Sequence, residues 1–105
     1  MVVSEAELIA SITRDRAAGK RIGFVQASFD LLRADVMRHL QTSAARSERL
    51  VVAVIDTEGT PVVSVKDRAE LVDGVRGVDY VIICTAGQVE RLLALVAPHV
   101  TSTTT

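Results

Sequence analysis

The sequence predicts an α/β domain in which helices pack on a short, buried, parallel sheet, and three observations predict it. Short aliphatic runs alternate with stretches of helical spacing, 49% of the 105 residues are hydrophobic, and aromatics make up only 3%. Val, Leu, Ile and Ala in those proportions suit an aliphatic sheet covered by helices better than an aromatic-rich barrel. Strand and helix in alternation imply parallel pairing through right-handed crossovers. A chain of this length hides roughly two-thirds of its unfolded surface in one modest core, so residues 1–100 are expected to form a single domain followed by a Thr-rich tail at 101–105.

Each element has its own signal. Ser4 followed by Glu7 is a capping-box spacing, and Leu8, Ile9 and Ile12 recur on one helical face until Gly19 stops the pattern. Ile22-Gly23-Phe24-Val25 is too brief for a helix and reads as a buried strand, with Gln26 to Leu32 as a loop. From Ala34 to Arg46, Val36, Met37, Leu40 and Ala44 mark a second helical face. Leu50 to Ile55 is a strand buried on both sides. Asp56 to Pro61 is a turn or loop by composition. Asp67 to Val75 is a helix with Leu71, Val72 and Val75 on its apolar side, and Asp79 to Ile83 is a third strand. Gly87 to Val96 is a helix ended by Pro98.

The first strand then lies centrally, with the next two extending to one side. Its other side needs cover, and two readings of the tail stay open: a ragged fourth strand or a disordered terminus. With a loose tail the first strand is an exposed apolar edge that invites a second chain, so a homodimer or another protein subunit is expected as partner.

Composition narrows the function. A net charge of -1 gives no footprint for nucleic acid or an anionic membrane, and neither is expected as a partner. The single Cys84 sits in an apolar run and reads as a buried hydrophobe, with neither an intrachain disulfide nor a cysteine metal cluster available to it. The residues Met1 to Glu7 show no basic leader before an apolar stretch, and no uninterrupted apolar run approaches ~18 residues. A soluble, cytoplasmic protein is the expectation.

The segment Ala18-Gly19-Lys20-Arg21-Ile22-Gly23-Phe24-Val25-Gln26-Ala27-Ser28-Phe29-Asp30-Leu31-Leu32 resembles the opening of the cytidylyltransferase-like nucleotidyltransferases, which include glycerol-phosphate cytidylyltransferases and the heptose-phosphate adenylyltransferase domain. Asp67-Arg68-Ala69-Glu70-Leu71 and Val78-Asp79-Tyr80-Val81 match later parts of that family, in order, so the resemblance covers about Glu5 to Val100. It implies a Rossmann-like three-layer sandwich with a parallel sheet of three or four strands. It also implies a nucleoside triphosphate held at a helix N-terminus, where free amides and two histidines stabilise phosphate charge during attack by a substrate phosphate.

The family's His-x-Gly-His falls on Arg33, Ala34, Asp35 and Val36, so both imidazoles are missing. Arg33 retains a phosphate-binding cation, whereas Val36 offers nothing and Asp35 puts a carboxylate at the helix start. Ala27 replaces the usual glycine. The connection after Ile55 is shorter than in the family and lacks its lysine, and the chain stops before the family's last strand and its Ser-Thr-rich phosphate motif. No catalytic residue and no metal ligand is therefore assigned. The resemblance carries over Phe29, Asp30, Arg33 and Arg68 as vestigial nucleotide-binding positions.

The expected function is that of a degenerate, non-catalytic family member acting by self-association or as an accessory subunit. The alternative is an active adenylyl- or cytidylyltransferase, with ATP or CTP and Mg2+ as its nucleotide and cofactor, that makes a nucleotide-activated sugar or alcohol. Arg68 has a second reading as a helix-surface charge beside Asp67 and Glu70. His39 is read as a surface histidine, His99 as a tail residue and Ser28 as a turn hydroxyl.

Overall fold

The computed structural model describes residues 1–29, 34–56 and 63–103. Helix α1 (Glu5–Ala17) leads into β1 (Ile22–Ala27), α2 (Ala34–Ala45), β2 (Arg49–Ile55), α3 (Val65–Asp73) and β3 (Tyr80–Cys84). A short 3-10 turn at Ala86–Gln88 then opens α4 (Val89–Val96), and β4 (Val100–Thr103) follows. The strands form one sheet in the order β3-β2-β1-β4, and every pairing is parallel.

Three layers result. Val25, Ala27, Val52 and Val54 meet Val36 and Leu40 of α2 and Ala69 and Val72 of α3 on one face. Phe24, Val51 and Ala53 meet Leu8 and Ile12 of α1 and Val89, Leu92 and Val96 of α4 on the other. Strand residues alternate between these two cores because successive side chains point to opposite faces. This is the Rossmann-like sandwich that the sequence implies.

The tail resolves the open question about the sheet. Val100 pairs with Gly23 and Ser102 with Val25, so β4 covers the side of β1 away from β2. Among the described residues the outer strand is thus β4, and the β1 edge that motivated association in the sequence is covered. His99 has a defined place as well. Its N–H donates to the Ile22 carbonyl at 2.8 Å, and its Nδ1 accepts from the Ile22 N–H at 3.0 Å. A residue read only as a tail position closes the start of the β1–β4 pair.

Several boundaries shift from the sequence reading. β1 runs on through Gln26 to Ala27 because its main chain pairs with β2 on one side and β4 on the other. α3 starts earlier than Asp67 because Ser64 caps it, its Oγ accepting from the Asp67 N–H at 3.2 Å. Within α3 the apolar side is displaced: Leu71 is 53% exposed while Arg68, Ala69 and Val72 are buried. Ile9 of α1 also faces outward. The capping box at Ser4 forms as its spacing predicts, and the bonds from Ser4 hold the Glu7 carboxyl below the usual carboxylate range.

α4 ends on Ala97 in the left-handed conformation, φ 45°. Arg16 donates to the Val96 and Ala97 carbonyls there and satisfies the helix end. A methyl group is strained at this dihedral and glycine is not, so Ala97→Gly is expected to raise stability by about 0.5–1 kcal/mol in urea denaturation.

A polar cluster fastens α1 to the sheet. The Tyr80 hydroxyl donates to Asp15 Oδ2 at 2.5 Å, and Arg49 Nε lies 3.4 Å from Asp15 Oδ1. Burial, and then the bond to Asp15, push the Tyr80 phenol above its ordinary value of 10.0. The folded chain therefore keeps this proton where the unfolded chain releases it, so stability present below pH 10.0 falls as the pH rises further. Tyr80→Phe should cost about 1 kcal/mol at neutral pH and flatten that alkaline decline, measured by denaturation across pH.

Candidate functional site

In an open parallel sheet, ligands favour the carboxyl ends of the strands where successive connections leave in opposite directions. Here β1 connects onward toward β2 while β4 lies on its other side, so the switch point falls at the end of β1, at Ala27. Asp30 and Arg33 lie outside the described residues, as do residues 57–62.

Phe29 is 2% exposed, and its backbone takes φ 57°, the left-handed region that side chains disfavour. Its ring belongs to the core beneath α2 and α3, with Val25, Val36 and Leu40. Ala27 packs into the same core, 3% exposed. Phe29 therefore packs beneath the end of β1, with its ring in the core.

Arg68 is fully buried. This corrects its reading as a helix-surface charge beside Asp67 and Glu70. From α3 its Nη1 donates to the Ser28 carbonyl at 2.5 Å, tying the β1–α2 loop to the neighbouring helix. Strand order brings the two together, because α2 and α3 pack side by side on one face of the sheet.

At the start of α2, Asp35 stands in the first turn and Val36 is 5% exposed within the core. The position matching the second histidine is thus an interior aliphatic contact. One turn on, His39 is half-buried, and its Nε2 lies 2.5 Å from Ser102 Oγ of β4. His39 is consequently a link between α2 and β4 and not a simple surface histidine. Sequence patterning carried no signal for this contact, since it depends on β4 pairing with β1.

Arg68 thus meets Ser28 next to Phe29, and His39 meets Ser102. Among the described residues no group of three His, Cys, Asp or Glu side chains is placed to hold a metal ion. A cavity of about 160 Å³ lies elsewhere, beside β3, lined by Val2, Ile83, Cys84, Gln88 and Leu92 among others. Cys84 is 4% exposed there, and burial pushes its thiol pKa up. Among the described residues no helix is long and apolar enough to cross a membrane.

The all-parallel sheet, with its switch point at the end of β1, is that of a Rossmann-like α/β domain. No family model matches the chain. Curated relatives do: the bifunctional protein HldE of Alkalilimnicola ehrlichii is 33% identical over 107 residues, covering 94% of this chain and 22% of that protein. HldE of Halorhodospira halophila is 35% identical over 105 residues, covering 92% and 22%, and HldE of Pseudomonas fluorescens is 34% identical over 107 residues, covering 94% and 22%. A solved structure, the lipopolysaccharide core biosynthesis protein from Thermoplasma volcanium, superposes with a TM-score of 0.71 at 22% identity, covering 79% of this chain and 73% of that one. That likeness shows the fold. The chain belongs to the cytidylyltransferase-like nucleotidyltransferase family, and it spans about a fifth of the length of the curated relatives it matches.

Proposed function

We propose that this chain is a non-catalytic nucleotidyltransferase-fold domain that acts in the cytoplasm by association, with a second copy of itself or as an accessory or regulatory subunit. The observation that carries the reading is Val36, whose side chain is 5% exposed in the core at the position of the family's second histidine. No side-chain group at that position can donate a hydrogen bond to a phosphate. Asp35 adds an opposing charge in the first turn of α2. A carboxylate ~4 Å from a phosphate costs about 4 kcal/mol per unit-charge pair at an effective dielectric near 20. It also complements the positive end of the helix that an anion would otherwise occupy. The lone, buried Cys84 suits a reducing compartment.

The identity to HldE over nearly the whole chain favours a second reading, an active adenylyl- or cytidylyltransferase acting on a phosphorylated substrate with ATP or CTP and Mg2+. In that reading Arg33 replaces the histidines as the phosphate-binding group. Calorimetric titration of ATP and of CTP with Mg2+ separates the two. The non-catalytic reading expects no heat of binding up to millimolar nucleotide. Micromolar binding, followed by release of pyrophosphate with a sugar phosphate or glycerol phosphate, would overturn it.

A further inference from the structure

Charge is spread unevenly between the two ends of the sheet. The first turns of α1, α3 and α4 hold Glu5, Glu7, Asp67 and Glu90. At the other end, where β1 and β2 begin, Arg16, Lys20, Arg21, Arg46 and Arg49 stand against Asp15 and Glu48. A run of contacts makes these residues one surface. Arg16 bonds the carbonyls of Val96 and Ala97, and His99, just beyond them, pairs with Ile22. Next to Ile22, Arg21 Nε donates to the Arg46 carbonyl at 3.1 Å, and the Arg21 N–H donates to Glu48 Oε1 at 3.1 Å.

Both carboxylates of this surface are already engaged. Asp15 accepts from the Tyr80 hydroxyl and lies 3.4 Å from Arg49 Nε. Glu48 accepts from the Arg21 N–H, and its other oxygen lies 3.8 Å from Lys20 Nζ. Among the described residues no carboxylate pairs with the side chain of Arg16, Arg21 or Arg46, and all three residues are exposed. The carbonyls that hold Arg16 and Arg21 position their guanidinium groups without cancelling the charge. The bond at Nε leaves both Nη groups of Arg21 available, and such paired donors match the two oxygens of a carboxylate.

We propose that this surface, centred on Arg21 and Arg46, binds a short acidic segment of another protein through its carboxylates. The inference deepens the accessory-subunit reading above and rests on it. Two observations favour an acidic segment over nucleic acid. Single strands are held by stacking bases on aromatic rings, and the aromatics here are otherwise engaged: Phe24 and Phe29 lie in the core, and Tyr80 is half-buried with its hydroxyl on Asp15. A long polyanion also meets the field of the whole chain, whose net charge is -1. A short segment meets only the local excess of cations, because salt screens charges beyond about 8 Å at physiological ionic strength.

Fluorescence anisotropy with a labelled hexaglutamate peptide tests the surface, with circular dichroism to check the fold of each variant. Saturable binding at low salt is expected, weakening as salt is added. Arg21→Glu and Arg46→Glu should each weaken it by about tenfold. Lys66→Glu makes the same change of charge at an exposed position on α3 and should bind as the parent does. Arg21→Lys keeps the charge but loses the paired donors, and should fall between the parent and Arg21→Glu. Absence of saturable binding, an equal loss in Lys66→Glu, or tighter binding of an oligothymidylate of matched length overturns the proposal. Peptide binding that depends on Arg21 and Arg46, in a chain that also binds ATP, supports this surface and defeats the non-catalytic reading. A chain that binds neither peptide nor ATP does the reverse.

Discussion

Replacing Arg68 with methionine is expected to lower stability by about 3 kcal/mol, read as a fall in the urea midpoint. The guanidinium is fully buried, and its Nη1 bonds the Ser28 carbonyl at 2.5 Å. Methionine keeps much of the side chain's bulk, so the loss reports the bond and the interior carbonyl left without its donor, more than an empty cavity. Lysine keeps the charge but not the planar fork, and Arg68→Lys should fall between the two. The release is local as well as global: amide exchange over Gln26 to Phe29 should quicken in Arg68→Met, since the loop then loses its tie to α3. A methionine variant as stable as the parent would mean that the side chain contributes only packing.

Phe29→Ala should cost about 3–5 kcal/mol, the range for truncating a buried phenylalanine. The ring is 2% exposed and joins Val25, Val36 and Leu40 under the loop. The informative comparison is Phe29→Gly. Glycine normally destabilises relative to alanine, but at φ 57° it avoids a strain of about 1 kcal/mol that alanine retains. The glycine variant should therefore be the more stable of the two in denaturant. The usual order, alanine above glycine, would show that this dihedral stores no strain.

These two residues show how far the sequence could be read. Three strands were visible because Ile22 to Val25, Leu50 to Ile55 and Asp79 to Ile83 are mainly apolar runs too short for helices, and α1 was visible through its Ser4 and Glu7 spacing. Parallel pairing followed from alternation and crossover handedness, and the three layers from the family resemblance. Failure came wherever a side chain's surroundings are assembled from distant segments. In α3, reading charge as outward and leucine as inward placed Arg68 on the surface and Leu71 in the core. The structure reverses both, because α3 lies against a loop whose carbonyl needs a donor. His39 and His99 were misplaced for one reason: each finds its partner only when β4 pairs with β1.

The candidate site was legible in a different sense. Resemblance located the loop and the start of α2, and the residues at Asp35 and Val36 showed which groups were missing. What remained hidden was that Val36 is an interior contact. Restoring a histidine there would require placing an imidazole in the core, so the departure from the family pattern is built into the packing as well as the chemistry.

The position of β4 also bears on how the chain is made. β1 is complete once Ala27 has been synthesised, and β2 joins it after Ile55, yet its remaining side pairs with Val100 to Thr103. During translation β1 therefore waits, with one row of amides and carbonyls open, while more than seventy further residues are added. Pairings this distant in sequence form slowly, because loop closure must come before the contacts that offset it. Nascent chains stalled before residue 100 should accordingly be more prone to aggregate than the completed protein.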